Sequence, residues 1–240
     1  MTISRQAFLR LSGFSFVVAV ARKAIGAGAR ARWGMAVDAA KCLKRENCTK
    51  CIAACHQEHN VPSIPDRAHE VRWLWKEPFD HALAGQVDEY SALRAVPAML
   101  LCNHCENPPC VRVCPTQATW KREDGIVAMD WHRCIGCRYC MAACPYGSRS
   151  FNFMDPRPYI HNANAQFPTR TKGVVEKCTF CSERLAVGRP PACVEACPEK
   201  ALTFGNLNDP QSPLRQLLQA RQHMRRRPEL GTGPDVFYIA

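Results

Sequence analysis

Cysteine is the residue through which this sequence could do chemistry: it occurs 16 times in 240 residues, in four groups of four. The most regular group places Cys134, Cys137 and Cys140 with two residues between each pair, and Cys144 and a proline follow. This spacing is typical of iron–sulfur ligands, in which three thiolates bind one cluster and the fourth binds a different cluster. One such run therefore requires a partner run elsewhere in the chain.

The other three groups can supply that partner, and together the sixteen thiols would hold four clusters with no cysteine left over. Group 1 is Cys42, Cys48, Cys51 and Cys55; group 2 is Cys102, Cys105, Cys110 and Cys114; group 3 is Cys134, Cys137, Cys140 and Cys144; group 4 is Cys178, Cys181, Cys193 and Cys197. Group 1 is the least regular, because five residues separate its first two cysteines and His56 follows its last, where the other groups have proline. Cys42 is therefore the ligand with the weakest support.

Disulfides and structural zinc are the competing uses of so many cysteines. A disulfide framework is common in cysteine-rich exported chains, but it scatters its cysteines along the sequence. Zinc sites use Cys-x-x-Cys pairs and do not require three cysteines at equal spacing followed by a fourth. The grouping favours iron–sulfur clusters.

The formal charge of +11 would suit a nucleic-acid or anionic membrane partner. An oxidised cubane with four thiolates carries roughly two negative charges, so four of them contribute about −8 and leave the loaded protein at about +3. The basic excess is interpreted mainly as internal neutralisation, and no nucleic-acid partner is predicted.

Short strands and helices must position these groups, which predicts an α+β fold. A strand candidate over residues 32–38 precedes group 1, an apolar stretch over 95–101 leads into group 2, and a strand over 201–205 follows group 4. Residues 118–130 are predicted to form a β-hairpin between groups 2 and 3. Ligand run, hairpin and ligand run together make a two-cluster ferredoxin-like unit.

The grouping predicts two such units, one nested inside the other as an internal duplication with loop-rich insertions. Residues 94–145 would form the inner unit, from groups 2 and 3, and residues 32–93 with 146–240 the outer unit, from groups 1 and 4. A C-terminal helix is predicted to begin after Ser212 as N-cap, with Pro213 at its first position, and to end at Arg225–Arg227. The apolar end 236–239 either packs on the body, which is favoured, or docks onto a partner.

Residues 1–31 have the pattern of an export signal and resemble the twin-arginine type, with Gln6 where that signal has its second arginine. An uncleaved amphipathic anchor is the alternative. The apolar run is too short to span a membrane, so membrane association is expected to be indirect, through partner subunits.

The cysteine pattern resembles the four-cluster electron-transfer subunits that include the iron–sulfur subunits of dimethyl sulfoxide, polysulfide and thiosulfate reductases. The segments at 102–110 and 134–147 carry the resemblance, and it extends from about residue 32 to the C-terminus. It implies four [4Fe–4S] clusters and the crossed ligand pattern of the family. Four sites follow: site A (Cys42, Cys48, Cys51, Cys197), site B (Cys178, Cys181, Cys193, Cys55), site C (Cys102, Cys105, Cys110, Cys144) and site D (Cys134, Cys137, Cys140, Cys114).

Within this family the expanded group 1 and the segments at 167–178, 204–210 and 229–234 look most similar to the periplasmic O subunits of the Dsr membrane complex, which is linked to dissimilatory sulfite reductase. That resemblance implies a periplasmic relay in sulfur metabolism between an integral-membrane quinone-interacting subunit and a redox partner. The partner would be a multihaem cytochrome c or another Dsr subunit.

A β subunit of a molybdopterin reductase of the polysulfide, thiosulfate or dimethyl sulfoxide type is the alternative. Neither a P-loop, nor a dinucleotide fingerprint, nor a His-Glu-x-x-His zinc motif occurs in the sequence, so no catalytic site of its own is predicted. His104 and Arg138, beside ligands of sites C and D, are expected either to raise the potential of their clusters or to face solvent or an interface.

Overall fold

Short helices and strands surround the cysteine groups in the computed structural model, which describes residues 30–86, 94 and 96–239. The strands are β1 (Trp33–Asp38), β2 (Leu74–Pro78), β3 (Pro97–Leu101), β4 (Thr119–Lys121), β5 (Val127–Met129), β6 (Ser150–Phe151), β7 (Val175–Glu176), β8 (Leu202–Asn206) and β9 (Val236–Ile239). The helices are α1 (Ala39–Cys42), α2 (Lys50–His59), α3 (Phe79–Ala82), α4 (Pro109–Arg112), α5 (Tyr139–Ala143), α6 (Ser182–Ala186), α7 (Ala192–Glu195) and α8 (Pro213–Ala220). Three single 3₁₀ turns cover Arg67–His69, Arg157–Tyr159 and Pro228–Leu230. This mixture is compatible with the predicted α+β class.

A three-stranded sheet joins the two ends of the described chain, in the order β8-β1-β9. β1 pairs antiparallel with β8, with Val37 opposite Leu202, and parallel with β9, with Met35 opposite Val236. β1 is the central strand of this sheet, and its apolar residues are buried on both faces. The sheet therefore brings the start of group 1 beside the end of group 4, as the strand predictions over 32–38 and 201–205 imply.

Two-stranded antiparallel pairs hold the remaining segments. β4 and β5 form the predicted hairpin, with Thr119 opposite Met129, and Gly125 takes φ of +85° in its turn. β2 pairs with β3, which seats Trp73 and Trp75 in the main apolar core. β6 pairs with β7 and closes the segment between groups 3 and 4.

The C-terminal helix begins where predicted but ends earlier. α8 starts at Pro213 after Ser212, whose hydroxyl makes no cap hydrogen bond, and it stops at Ala220. The predicted end at Arg225–Arg227 is wrong, because Arg226 is buried beyond the helix and donates to the carbonyl oxygen of Ala82 at 3.1 Å. The apolar end 236–239 is buried as β9, so it packs on the body as favoured.

The predicted export signal at 1–31 lies almost entirely outside the described residues, which begin at residue 30. From Ala31 onward the chain forms one compact unit by its internal contacts. Within the part that the structure describes, no helix combines the length and the apolar character needed to cross a bilayer.

Candidate metal centres

Site C is a small cavity lined by all four of its predicted thiols. Cys102 and Cys105 lie in the loop after β3, Cys110 lies in α4, and Cys144 directly follows α5. Pro108 and Pro109 fix the start of α4, where a missing N–H costs no helical hydrogen bond. The crossed arrangement, with three thiols from group 2 and one from group 3, is therefore present in the geometry.

Site D has the same form on the other side of the hairpin. One small cavity is lined by Cys114, Cys134, Cys137 and Cys140 together with Thr116, Thr119 and Val175. Gly136 takes φ of +70°, and a Cβ atom on it would collide with the carbonyl oxygen of Gly173. Glycine is therefore required for the loop between Cys134 and Cys137 to pass so close to the neighbouring backbone.

Site B is the most buried of the four. Cys55 lies in α2, Cys193 in α7, and Cys178 and Cys181 flank a loop whose Phe180 has φ of +53°. All four side chains are buried, and Cys55 interacts electrostatically with each of the other three thiols. Backbone N–H groups of Phe180 and Ala192 donate to the sulfurs of Cys178 and Cys181, each at 3.4 Å.

Site A includes Cys42 despite its irregular spacing. The extra residues after Cys42 form turns, with Asn47 at φ of +53°, and they return the chain to Cys48. The thiol of Cys42 interacts electrostatically with Cys48 and Cys197, and that of Cys51 with Cys42 and Cys197. The four thiols predicted for site A are thus neighbours in space. Their role as ligands stays a prediction.

Burial makes these thiols costly to ionise when nothing positive binds them. Burial raises the pKa of Cys105 to about 12 and that of Cys178 to about 12, and it raises the pKa of Cys51 to about 11. Cys114 differs: burial raises its pKa, but hydrogen bonds from the N–H groups of Thr119, Thr116 and Ala118 and from the hydroxyl of Thr116 outweigh this and lower the pKa overall. A cationic metal centre is the charge that stabilises such clustered thiolates.

The sites follow one another in a line. Cys51 of site A interacts with Cys193 of site B, Cys102 of site C with Cys178 of site B, and Cys110 of site C with Cys140 of site D. Those six residues define the sequence A–B–C–D.

Exposure varies along that line. The half-buried thiols of the end sites are Cys42, Cys48 and Cys197 in site A, and Cys114, Cys134 and Cys137 in site D. In the two middle sites, Cys144 is half-buried and the other thiols are buried. The sites nearest to solvent are therefore at the two ends.

His104 and Arg138 have opposite environments. Arg138 is exposed, with its guanidinium over the rings of Phe151 and Phe153. His104 is fully buried and stacks on Phe180 at 3.8 Å between ring centroids, and burial lowers its pKa well below the ordinary value. Its Nδ1 accepts the N–H of Val127 at 3.1 Å, so a neutral ring joins site C to the loop of site B.

Several buried charged residues around the sites were missed by sequence reasoning. Lys177 directly precedes Cys178 and Arg149 follows group 3, and both are almost fully buried. Arg170 and Glu176 form an ion pair of 2.7 Å with no exposed side-chain surface on either partner. Only the position of Lys177 beside a ligand hinted at such a role in the sequence.

A histidine and a carboxylate flank site B. Nε2 of His59 lies 2.6 Å from Oε1 of Glu183, and its Nδ1 lies 2.9 Å from the carbonyl oxygen of Cys55. These two side chains and the thiol of Cys181 are close enough together to hold a metal ion. Cys181 already belongs to site B, so we assign His59 and Glu183 to the surroundings of that site.

The residues fit the [4Fe–4S] groups that the spacing predicts. Two cavities are each lined by four thiols, all four sets converge, and buried N–H groups donate to their sulfurs. Thiolate sets of this kind are the ligands of [4Fe–4S] clusters.

Comparison with known proteins places these sites in a family. The 4Fe-4S dicluster domain family matches residues 96–207. The Hdr-like menaquinol oxidoreductase iron-sulfur subunit 1 of Archaeoglobus fulgidus is 42% identical, over 98% of this chain and 97% of its own length. The menaquinone reductase iron-sulfur cluster-binding subunit of Nitratidesulfovibrio vulgaris is 36% identical, over 87% and 89%. The B subunit of polysulfide reductase from Wolinella succinogenes is 36% identical, over 87% and 94%.

These relatives confirm the predicted resemblance, the [4Fe–4S] cofactors and the electron-transfer role of a subunit that serves an oxidoreductase complex. The similarity to the first relative extends over nearly the whole of both chains, so it covers the outer cysteine groups as well as the dicluster segment. The chain is a member of the family of 4Fe–4S electron-transfer subunits that includes the iron–sulfur subunits of menaquinol oxidoreductases and of polysulfide and dimethyl sulfoxide reductases.

Proposed function

We propose that this chain carries four [4Fe–4S] clusters in sites A to D and connects a membrane quinone-interacting subunit to a second redox partner. The ligands are the sixteen cysteines in the four sets defined above. Each cluster supplies a one-electron redox centre. The protein holds the thiolates, excludes water and adjusts the surrounding charge.

The linear arrangement of the thiol sets is the observation that carries this proposal. Sites B and C, which are mostly buried, lie between two sites with half-buried thiols. A relay requires such ends, because a partner's cofactor must come close to the first and the last centre. It also benefits from a dry interior, since fixed dipoles reorganise little when charge moves.

We further propose that the chain is a duplication, with an inner unit over residues 94–145 and an outer unit formed by residues 32–93 and 146–240. The pairing of β1 with β8 supports it, because it joins the start of group 1 to the end of group 4. Helix packing gives further support: α2 packs against α7 in the outer unit, and α4 packs against α5 in the inner unit. Each unit thus combines two ligand-bearing helices with an antiparallel strand pair.

The names of the relatives support quinol as the electron source or sink. Two of them belong by name to a menaquinol oxidoreductase and a menaquinone reductase. We propose a periplasmic complex of sulfur metabolism, of the Dsr type, with an integral-membrane quinone subunit and a multihaem cytochrome c among its partners. The twin-arginine-like start of the sequence favours the periplasmic side. A β subunit of a molybdopterin reductase is the second candidate, which the similarity to the polysulfide reductase subunit favours.

Purification of the native complex tests the proposal. A tagged chain would be isolated anaerobically from membranes, its subunits identified, and the cluster EPR signals followed while a menaquinol analogue is added. We expect an integral-membrane subunit to co-purify and the signals of reduced clusters to appear with quinol. A pterin-containing large subunit would favour the second candidate, and the absence of any integral-membrane subunit would refute a quinone-linked relay.

Surface variants test whether site D is an end of the relay. Ile135 and Tyr139 flank its ligands and are 67% and 63% exposed. The double variant Ile135→Ser/Tyr139→Ser is expected to keep its iron but to lose at least about tenfold in the rate of electron exchange with one partner. Val187→Ser is the control, because Val187 is 72% exposed and follows α6 near site B. Equal rates for both variants would contradict an end at site D.

A further inference from the structure

We infer that two buried cations, Lys177 and Arg149, lie beside site C and set the reduction potentials of neighbouring clusters in pairs. Lys177 acts on sites B and C, and Arg149 acts on sites C and D. The inference rests on the ligand sets of the proposed function and concerns residues that are not ligands.

Lys177 lies where the ligand loops of sites B and C meet. Its side chain is 1% exposed, and its Nζ donates to the carbonyl oxygens of Val127 and Cys178. Burial lowers the pKa of Lys177; the thiols of Cys102, Cys178 and Cys110 are electrostatic neighbours that raise it, and the guanidinium of Arg149 is a neighbour that lowers it. Its charge therefore acts on thiols of both sites.

Arg149 occupies the corresponding position between sites C and D. It is 4% exposed, and its Nη1 donates to Oγ1 of Thr119 at 3.1 Å. Its Nη2 is buried without a hydrogen-bond partner among the described residues. The thiols of Cys110, Cys140 and Cys102 are its electrostatic neighbours, and they raise its pKa although burial alone would lower it.

Within the described part of the chain, neither cation is paired with a carboxylate. The nearest acidic residue in sequence to Lys177 is Glu176, which is already bound by Arg170, Trp73 and Asn152. Buried charges require a counter-charge, so the thiolates and the clusters they hold are the partners of Lys177 and Arg149.

A cation beside a cluster favours the reduced state, because reduction adds one negative charge to a centre that is already anionic. The effect is large where the surroundings are dry and the charges are unscreened by salt. Site C is adjacent to both cations and is expected to have a higher potential than sites B and D, which each have one of them. Site A has a different cation, the half-buried Lys76, whose Nζ donates to the carbonyl oxygen of Cys48 at 2.6 Å. Among sites B, C and D, an electron would then come to rest at site C.

Redox titration of the four EPR signals in the intact complex tests this. Each signal would be assigned to a site with one ligand variant: Cys42→Ser for A, Cys181→Ser for B, Cys105→Ser for C and Cys137→Ser for D. Lys177→Met is expected to lower the potentials of B and C, and Arg149→Met those of C and D. We expect at least a tenfold change in the oxidised-to-reduced ratio at fixed potential, which is about 59 mV for a one-electron couple.

Controls separate charge from structure. Lys177→Gln keeps a side chain that can donate to the two carbonyls but removes the charge, and it should reproduce the shifts of Lys177→Met. Lys172→Met removes an exposed lysine five residues earlier and should shift nothing. Iron content measured on every variant shows whether it has kept its clusters, so Lys177→Gln and Lys177→Arg replace Lys177→Met if that variant loses iron.

The outcomes distinguish the inference from the proposed function. Four clusters in the wild type with unchanged potentials in Lys177→Gln would overturn the inference alone. Equal shifts of all four signals would also overturn it, because they would indicate a general structural change. Fewer than four clusters in the wild type would instead overturn the ligand sets of the proposed function.

Discussion

Arg170 gives the sharpest test of how the segment between groups 3 and 4 is held against site B. Its guanidinium pairs with Glu176 at 2.7 Å, donates to the carbonyl oxygens of His59, Asn60 and Pro168, and lies over the rings of Trp73, Trp131 and Phe167. Arg170→Met would fill much of the same space but would leave the carboxylate of Glu176 buried without its cation. Breaking a buried pair in this way costs about 3–5 kcal/mol of stability.

The assay should measure a rate, because cluster loss makes unfolding irreversible. The holo-protein would be placed anaerobically in guanidinium and the decay of the visible cluster absorbance recorded. If about half of the loss falls on the unfolding side of the barrier, about 1.5–2.5 kcal/mol is expressed there. The clusters should then be lost about 10-fold to 70-fold faster than in the wild type.

Two further variants show whether the reasoning is correct. Arg157→Met breaks an exposed pair with Asp155 and should leave the rate unchanged. Arg170→Met/Glu176→Gln removes the orphaned charge as well and should recover part of the loss. A rate for Arg170→Met within twofold of the wild type would refute the view that this pair anchors the segment.

Three other variants test the sites themselves. Cys42→Ser should lower the iron content by about one cluster and remove one EPR signal while the other three remain; unchanged iron would remove Cys42 from site A. Cys137→Ser should alter only the signal of site D, giving either a three-iron spectrum or no signal, and a change at site A would contradict the order of the sites. Gly136→Ala should lower the occupancy of site D, because the added Cβ would meet the carbonyl oxygen of Gly173. Gly147→Ala is the control: Gly147 also has positive φ but has open space around it, so this variant should cost only the conformational strain of about 1–2 kcal/mol and should keep its clusters.

Local spacing made the cysteine groups, the hairpin and the strand at 33–38 predictable, because each is a short-range pattern. The end of α8 was not predictable in the same way. A run of three arginines suits a helix C-terminus, but the carbonyl oxygen of Ala82 holds Arg226 in the interior instead.

Long-range contacts likewise decide the roles of Lys177 and Arg170. The position of Lys177 beside a cysteine hints at a role near site B. The sequence does not show that this lysine is also buried against a second ligand loop, which comes from the hairpin and group 2. Arg170 lies in a stretch of ordinary loop composition, and its partners are residues of α2, β2 and β7 and their flanks. These groups come together only in the folded chain, so the sequence does not show their contacts.

The pairing of β1 with β8 and β9 has a consequence for biosynthesis. Site A needs Cys42 and Cys197, and the two strands that pair with the strand before Cys42, among the described residues, are residues 202–206 and 236–239, which are made last. The ligands of sites C and D are all present once Cys144 has been translated. The growing chain can therefore complete sites C and D while sites A and B still wait for group 4 and the last strands, and cluster loading should proceed along the order A–B–C–D from the end at site D towards the end at site A.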